Sequence, residues 1–298
     1  MQDQYREEYK NYLLSLFSEA WKSSPLDFIY SILRVTGLHH GHWDPYVELD
    51  RAFKDYNQIL HFANKQEGIS SLRVALLMYC QAIEMTAVHE LLANLLRCRN
   101  SKPFIIKPFH DMQRPNKRTP FSYIPPSANS KIKRLKNLAE GCGDFEFEIV
   151  IDSFFDDQIR NSFVHSDYCI TEDEYRWTEG GPANSKRLDE VSEKITRCFA
   201  FYEALIQTWK SWIYHFKKHP TYIKLPQYEV FELLTNEQGL YGFAVHFSNG
   251  TRAFFERHEE RVDSVNLYIE NDGSINFFVG DLSLLAPCWK VNGEPWDG

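Results

Sequence analysis

The spacing of apolar residues predicts helices over most of the first 219 residues. Apolar side chains recur at three- and four-residue steps over residues 5–21, 25–37 and 44–66, which is the pattern of an amphipathic helix. Residues 70–99 are apolar on more than one face, and Glu84 and His89 interrupt this apolar run. We therefore predict one long helix over 70–99 at the centre of a helical bundle.

The second half of the helical region alternates loops with shorter helices. Six prolines prevent a helix over residues 100–130, and a short basic helix follows over 130–140. Residues 147–164 are predicted to form the next helix, with a buried apolar stripe. A short hairpin or extended segment over 170–175 then leads to the last helix, predicted over 188–216.

After Pro220 the apolar pattern changes to a period of two. Alternating residues separated by turn signals such as Asn271-Asp272-Gly273 predict an antiparallel meander. The predicted strands are 228–234, 241–247, 251–255, 264–269 and 274–279.

The predicted fold class is therefore α+β, with an all-α region followed by a small antiparallel β domain. We predict three consecutive segments. These are an N-terminal helical extension (1–68), a helical bundle that carries a basic, proline-rich loop at 100–130 (69–219), and an acidic β-rich domain (220–298).

The composition is that of a folded chain. With 43% hydrophobic and 15% aromatic residues, it has enough apolar surface for a core. No apolar run approaches the roughly 20 residues that cross a bilayer. The first eight residues lack the basic and apolar regions of a secretory signal. We therefore expect a cytoplasmic protein that does not enter a membrane.

Cysteine and histidine spacing predicts neither a disulfide framework nor a metal site. The six cysteines include no C-x-x-C pair, which favours reduced thiols. His39, His40 and His42 suggest an alternative, a metal-binding loop, but no carboxylate or cysteine follows them at ligand spacing. The expectation is no metal ion and no cofactor.

The net charge of −8 hides a basic segment. Residues 221–298 hold 5 Lys and Arg against 12 Asp and Glu, whereas residues 102–136 hold nine basic residues against one acid, Asp111. Aromatic residues alternate with these cations, namely Phe104, Phe109, Phe121 and Tyr123. Cations suit phosphates and aromatic rings suit unstacked bases, so the segment favours single-stranded RNA as a partner. The alternative is that the aromatic residues attach a long loop to the bundle.

The strongest candidate for catalysis is Arg160, which is followed by Asn161 and, five positions on, by His165. RNA cleavage without a metal needs a base for the ribose 2′-hydroxyl, an acid for the leaving 5′-oxygen and a cation beside the phosphate. Histidine can do either proton transfer near neutral pH, and arginine stays charged and can hold a phosphate bidentately.

The spacing alone is weak support for this interpretation. Arg34 and His39 have the same separation in the sequence. An equally simple alternative is a structural role, in which Asp156 or Asp157 satisfies the charge of Arg160 within the same helix.

The segment Arg160-Asn161-x-x-x-His165, in a helix that follows a long bundle helix, resembles the motif of the HEPN superfamily (higher eukaryotes and prokaryotes nucleotide-binding domain). That motif is an arginine, four to six residues and a histidine, with a polar residue favoured after the arginine. The similarity covers about residues 69–219. In one branch of the superfamily a tyrosine two residues after the histidine accepts a nucleotide. Here Asp167 has that place, and Tyr168 follows.

The resemblance implies a four- or five-helix up-and-down bundle, a homodimer that pairs two motifs, and metal-independent endoribonuclease activity in toxin or antiviral defence. By position it makes Arg160 and His165 catalytic and Asn161 a supporting residue. Glu84, Asp157 and Tyr168 are further supporting candidates. The candidate RNA-binding residues are Lys102, Lys107, Arg114, Lys117, Arg118, Lys131, Lys133 and Arg134.

Two further partners are expected, a second copy of the chain and a regulatory partner or ligand at the β domain. The alternative function is a non-catalytic bundle that binds RNA or a protein, joined to a β domain that senses a ligand.

Overall fold

The computed structural model describes residues 2–34, 45–63, 68–105, 107–117, 123–178, 181–219, 222–224 and 230–256, and the backbone of 265–269, 275–279, 290–291 and 294–295. The helices are α1 (Gln2–Ser23), α2 (Pro25–Leu33), α3 (Pro45–Ala63), α4 (Ile69–Glu84), α5 (Thr86–Arg99), α6 (Ala128–Gly141), α7 (Phe145–Phe154), α8 (Asp157–His165) and α9 (Leu188–Lys218). A 3₁₀ turn spans His110–Met112.

All strand pairs are antiparallel. The strands are β1 (Arg114–Pro115), β2 (Tyr123–Ile124), β3 (Tyr168–Ile170), β4 (Glu174–Trp177), β5 (Asn184–Arg187), β6 (Tyr222–Lys224), β7 (Val230–Asn236), β8 (Gly239–His246), β9 (Arg252–Glu256), β10 (Val265–Ile269), β11 (Ile275–Val279), β12 (Lys290–Val291) and β13 (Glu294–Pro295). The predicted α+β class is confirmed. The predicted hairpin after His165 is also present, as β3 and β4, and β5 adds a third strand.

The chain divides into two compact units that interleave along the sequence. The first comprises Met1–Phe17, Leu49–His89 and Ala128–Thr208, and the second comprises Ser18–Glu48, Glu90–Ser127 and Trp209–Gly298. The boundaries predicted at residues 68 and 219 therefore do not coincide with those of the units. The physical reason is that α1, α3, α5 and α9 each contribute residues to both units. A division by local sequence pattern cannot detect helices that are shared in this way.

The prediction of one helix over residues 70–99 is wrong. Met85 leaves the helical conformation (φ −61°, ψ 96°), and the axes of α4 and α5 differ by 44°. The amides of Met85 and Val88 bond to carbonyls three residues back, at 3.1 Å each, so the break leaves these two donors satisfied. Because there is no Gly or Pro at this position, the sequence carries no local signal for the break.

The helix predicted over residues 147–164 is also two helices. Phe155 is extended (φ −76°, ψ 129°), and Asp156 then caps the N-terminus of α8. Ile149 and Val164, which the prediction placed in a buried stripe, are 70% and 51% exposed. Ile149 lies on the outer face of α7, whose buried residues are Phe147, Val150, Ile151 and Phe154. The exposure of Val164 follows from the break, since α8 does not continue the buried face of α7.

The core of the first unit is built from aromatic residues of α1, α3, α7 and α9. Tyr9 packs edge-on against Phe154 and Phe201, with ring centroids 6.4 and 5.7 Å apart. Phe53 of α3 stacks on Phe199 of α9 at 5.6 Å. These rings are almost fully buried, as the three- and four-residue spacing of the sequence predicts for their positions.

In the second unit a four-stranded meander, in the order β6-β7-β8-β9, carries an apolar inner face. Phe231 of β7 and Phe243 of β8 stack on each other at 5.2 Å and meet Tyr30 of α2 edge-on. The indole of Trp209 donates a hydrogen bond to the carbonyl oxygen of Ile32 at 2.9 Å. The predicted antiparallel meander is confirmed for its first three strands, as β7, β8 and β9, and β6 extends it by a strand that the sequence pattern did not indicate. The predicted strands 264–269 and 274–279 are also present, as β10 and β11, but in the structure they pair with each other as a separate two-stranded sheet.

Among the described helices, no single one is long and apolar enough to cross a membrane. The consecutive helices α4 and α5 reach the required length and composition only when taken together, across their 44° bend.

Candidate functional site

The helix that carries the Arg-x4-His motif, α8, is held at its N-terminus by two residues. The Asp156 carboxylate accepts hydrogen bonds from the amides of Gln158 and Ile159, at 3.1 and 3.0 Å. The buried hydroxyl of Tyr79, from α4, bridges the break before α8. It donates to the Phe154 carbonyl at 2.8 Å and accepts from the Asp156 amide at 3.0 Å. These bonds fix where α8 begins and hence where its side chains lie.

The guanidinium of Arg160 lies between two oxygen acceptors. Its Nη2 forms an ion pair with Oε1 of Glu84, the last residue of α4, and its Nη1 donates to Oδ1 of Asn161 at 2.7 Å. The Arg160 side chain is 21% exposed and that of Glu84 is 37% exposed. Arginine carries five N–H donors, so the outer face of the guanidinium retains donors that a phosphate could use.

One further atom of Arg160 is unusual. The Nε atom is buried and has no hydrogen-bond partner among the described residues.

The interpretation in which Asp156 or Asp157 satisfies Arg160 does not fit the structure, because Asp156 pairs with Lys186 and Asp157 accepts from Asn129 at 2.9 Å. The charge of Arg160 is instead offset from another helix.

His165 is the last residue of α8, and its side chain is exposed. The helix ends because Ser166 takes the left-handed conformation (φ 60°), and the amides of Ser166 and Asp167 bond back to Phe163 and Ser162. Within the described residues, no hydrogen bond or ion pair joins His165 to Arg160. The structure therefore brings Arg160, Asn161 and Glu84 together and leaves the imidazole facing solvent.

Tyr168 belongs to an aromatic stack rather than to the exposed surface around His165. Its ring lies between those of Phe163 and Tyr175, with centroids 5.0 and 5.2 Å away. The Tyr175 hydroxyl in turn bonds to the Ser162 hydroxyl at 2.9 Å, inside the protein. Tyr168 thus anchors β3 against α8, and this packing accounts for it without a chemical role.

A cleft of about 290 Å³ lies beside the N-terminal end of α8. Lys133 and Lys136 line it, but so do Asp152, Asp156 and Asp157. The ammonium of Lys136 contacts both carboxylate oxygens of Asp152 at 2.7 Å. The mixed charges make this cleft a poor site for a phosphate, although Asp157 lies in it as well as on the motif helix.

The candidate RNA-binding residues divide between the two units and differ in exposure. In the second unit, Lys102, Arg114 and Lys117 are exposed, whereas Lys107 is half-buried. In the first unit, Lys133 is exposed and Arg134 is half-buried. Arg118 lies outside the described residues.

Lys131 does not fit the prediction. It is only 5% exposed, and its ammonium donates to the Thr86 hydroxyl at 2.9 Å. Its place in the bundle removes it from the surface that RNA could reach.

For two of the four aromatic residues of the basic segment, the structure distinguishes rings that could stack on bases from rings that attach the loop. Phe104 and Phe109 are buried, at 7% and 4% exposure. Phe104 packs on Tyr30 at 5.8 Å, and its amide donates to Asp27 at 2.8 Å. These two rings attach the loop to its own unit and are not free to stack on bases. The side chains of Phe121 and Tyr123 are outside the described residues.

Arg34, which with His39 has the same spacing as the motif, has a structural role. It caps α2 in the left-handed conformation (φ 48°) and forms an ion pair with Glu90, each side chain being 12% exposed. His39, and the His39–His42 loop as a whole, lie outside the described residues. His89, which interrupts the apolar run of residues 70–99, is buried at 3% exposure.

Sequence reasoning missed Tyr79, the residue that joins α4 to the start of α8. Its only signal was a hydroxyl-bearing side chain on the buried face of an otherwise apolar helix.

The chain matches no protein-family model, no curated protein and no solved structure.

Proposed function

We propose that the chain is a HEPN-type endoribonuclease that cleaves RNA without a metal, as a cytoplasmic toxin or antiviral (abortive infection) effector. One observation carries the proposal. Arg160 and His165 lie on the same nine-residue helix, with Arg160 oriented by Glu84 and Asn161 and with His165 exposed at the helix end. An oriented cation and an accessible imidazole are two of the three groups that metal-free RNA cleavage needs, and a second copy of the chain would supply the third, another histidine.

In the proposed reaction His165 takes the proton of the ribose 2′-hydroxyl, and the 2′-oxygen attacks the neighbouring phosphorus. The bond from phosphorus to the 5′-oxygen breaks, and that oxygen receives a proton from His165 of a second copy. The products are a 2′,3′-cyclic phosphate and a 5′-hydroxyl. Arg160 offsets the negative charge that accumulates on the non-bridging oxygens, and Asn161 orients Arg160 through its 2.7 Å contact.

The proposal assigns binding rather than chemistry to the exposed cations of the basic segment. The exposed cations Lys102, Arg114, Lys117 and Lys133 supply sequence-independent attraction for the RNA backbone. We further propose that the protein works as a homodimer, which brings the second histidine, and that the β domain receives a regulatory partner or ligand.

A second candidate function has its own support. In the ion pair with Glu84 the charge of Arg160 is already offset by a protein carboxylate. The same contact is expected of an arginine that only joins two helices. This favours the alternative, a non-catalytic HEPN module that binds RNA or a protein.

The decisive experiment is RNA cleavage by purified protein in EDTA, followed by analysis of the product ends. We expect cyclic-phosphate ends from the wild type and a loss of at least about a hundredfold in rate for His165→Ala and Arg160→Ala. His61→Ala is the matched control, because His61 is another exposed helical histidine, on α3. Cleavage by His165→Ala at the wild-type rate refutes the assigned site.

Expression in a host cell separates the two candidates further. A ribonuclease effector should arrest growth as the wild type and lose toxicity as Arg160→Ala. A wild type that is inert on every RNA class, yet dimeric and still bound to RNA, supports the non-catalytic module instead.

A further inference from the structure

Two histidines lie one helical turn apart at the C-terminal end of α9, His215 within the helix and His219 directly after its last residue. Both side chains are exposed. The amide of His219 bonds to the carbonyl of His215 at 3.1 Å, so the helical turn continues through both residues. An (i, i+4) pair projects from one face of a helix, which is the arrangement that lets two imidazoles share one metal ion.

The distance between the two rings fits such a chelate. Their centroids are 4.6 Å apart and their planes are inclined by 33°. Two imidazoles bound to one ion, each at about 2.0–2.1 Å and at an angle between square and tetrahedral, have centroids roughly 4.5–5.2 Å apart. The rings are therefore already at the separation that a shared ion requires.

The backbone beneath the pair is held firmly. Phe216, between the two histidines, is 1% exposed and packs on Trp21 at 5.2 Å. Trp212, one turn earlier, packs on Phe28 at 4.9 Å. A chelating pair on a rigid helix needs little ordering when the ion binds, which favours affinity.

The two lysines beside the pair have contacts of their own. Lys217 donates to the carbonyl of Glu237 at 2.8 Å, and the ammonium groups of Lys217 and Lys218 lie 5.6 and 5.1 Å from the ring centroid of Tyr214.

We propose that His215 and His219 form a two-histidine site for a divalent first-row transition ion such as Ni²⁺, Zn²⁺ or Cu²⁺, with solvent completing the coordination. Imidazole nitrogen selects these ions over Mg²⁺ and Ca²⁺, which prefer oxygen. The site is separate from the Arg160 motif and does not depend on the proposed ribonuclease activity. A bound ion would link two successive turns at the end of α9, just before strand β6.

The test is Ni²⁺ binding by the untagged full chain, measured by calorimetry. Because His39, His40 and His42 are a second histidine cluster in the sequence, the variants must separate the two. We expect His215→Gln and His219→Gln each to weaken one Ni²⁺ site by roughly tenfold or more. Two control variants should leave that site intact, namely His61→Gln and the double variant His40→Gln/His42→Gln. His61 is a suitable control because no other histidine lies one helical turn from it in the sequence. Mg²⁺ should not bind there.

Fluorescence supplies a local readout. The Trp212 ring centroid lies 5.4 Å from that of His215, so Cu²⁺ bound at the pair should quench Trp212. Trp212→Phe should remove most of the quenching, and His219→Gln should shift it to higher Cu²⁺ concentration by roughly tenfold. Unchanged Ni²⁺ affinity in both His215→Gln and His219→Gln overturns the proposal. So does binding that disappears only in His40→Gln/His42→Gln.

Discussion

Glu84, at the end of α4, forms an ion pair with Arg160 of α8, although the two residues are 76 positions apart in the chain. The break at Met85 follows Glu84 directly, so α4 ends at the residue that contacts the motif arginine. The pair is partly exposed, at 37% and 21%, so we expect its contribution to the free energy of unfolding to be modest. Its larger effect is to set the direction in which the guanidinium points.

A double-mutant cycle measures this ion pair. Glu84→Ala and Arg160→Ala should show a coupling free energy of about 1 kcal/mol in urea unfolding. Each single variant removes one partner of the ion pair, so the pair is lost in both. The matched cycle uses Lys136 and Glu148, whose side chains are 24% and 64% exposed. There we expect about 0.5 kcal/mol or less. Equal coupling in the two cycles would show that Glu84 does not hold Arg160 more firmly than a surface pair.

The Tyr79 hydroxyl should contribute more to the free energy of unfolding than a typical tyrosine hydroxyl does. Tyr79→Phe removes both bonds that bridge Phe154 and Asp156, and it leaves a buried carbonyl and amide unpaired. We expect a loss of about 2–3 kcal/mol in the free energy of unfolding.

Tyr30 provides the control for this variant. Its hydroxyl is buried but has no hydrogen-bond partner among the described residues. Tyr30→Phe should therefore change stability by less than about 1 kcal/mol in the same urea titration. A loss in Tyr30→Phe as large as that in Tyr79→Phe would contradict the assigned bridge.

Buried His89 should make the fold sensitive to acid. Burial first, and the charge of Lys131 second, lowers its pKa from 6.5 to about 3. Below about pH 6.5 the unfolded chain binds a proton that the folded chain excludes. Stability is therefore full above that pH and falls by about 1.4 kcal/mol per pH unit as the pH approaches 3.

His89→Gln isolates this effect, because the other titrating groups remain in both chains. The free energy of unfolding should be measured for both chains at pH 6.5, 5.5 and 4.5. We expect the slope of the variant to be smaller than that of the wild type by about 1 kcal/mol per pH unit. Parallel curves for the two chains would mean that folding does not change the pKa of His89.

Gly239, the first residue of β8, should not tolerate a side chain. Its φ is +122°, and a Cβ there would lie 2.6 Å from the carbonyl oxygen of Ile213 in α9. Gly250 has a φ of +82° but open space around the Cβ position. Both alanine variants carry backbone strain of about 1 kcal/mol, and Gly239→Ala should lose at least about 2 kcal/mol more because of the clash with backbone. Similar thermal unfolding of the two variants would argue against the close approach.

Much of the fold could be predicted because the information is local. The helices α1 and α9 and strands β7 to β11 follow from apolar periodicity and glycine turns, and their observed bounds lie within a few residues of the predicted ones. The predicted positions of Arg160, Asn161 and His165 on a helix follow for the same reason.

The breaks within two predicted helices could not be read in this way. Met85 and Phe155 are ordinary helix-compatible residues, and no glycine or proline marks either position. At the second break, Tyr79 supplies the hydroxyl that satisfies the backbone on both sides. The start of α8 is set by Asp156, a local cap, together with Tyr79, a residue more than 70 positions away. No local pattern contains the second contact.

The sequence by itself determined the α+β class, the helices α1 and α9, the strands β7 to β11 and the placement of Arg160, Asn161 and His165 on a helix, because periodicity is a property of neighbouring residues. Only the tertiary structure decided that Glu84 pairs with Arg160, that Lys131, Phe104 and Phe109 are buried, and that the chain forms interleaved units. These depend on which distant surfaces exclude water together, and burial of that kind is a property of the packed chain.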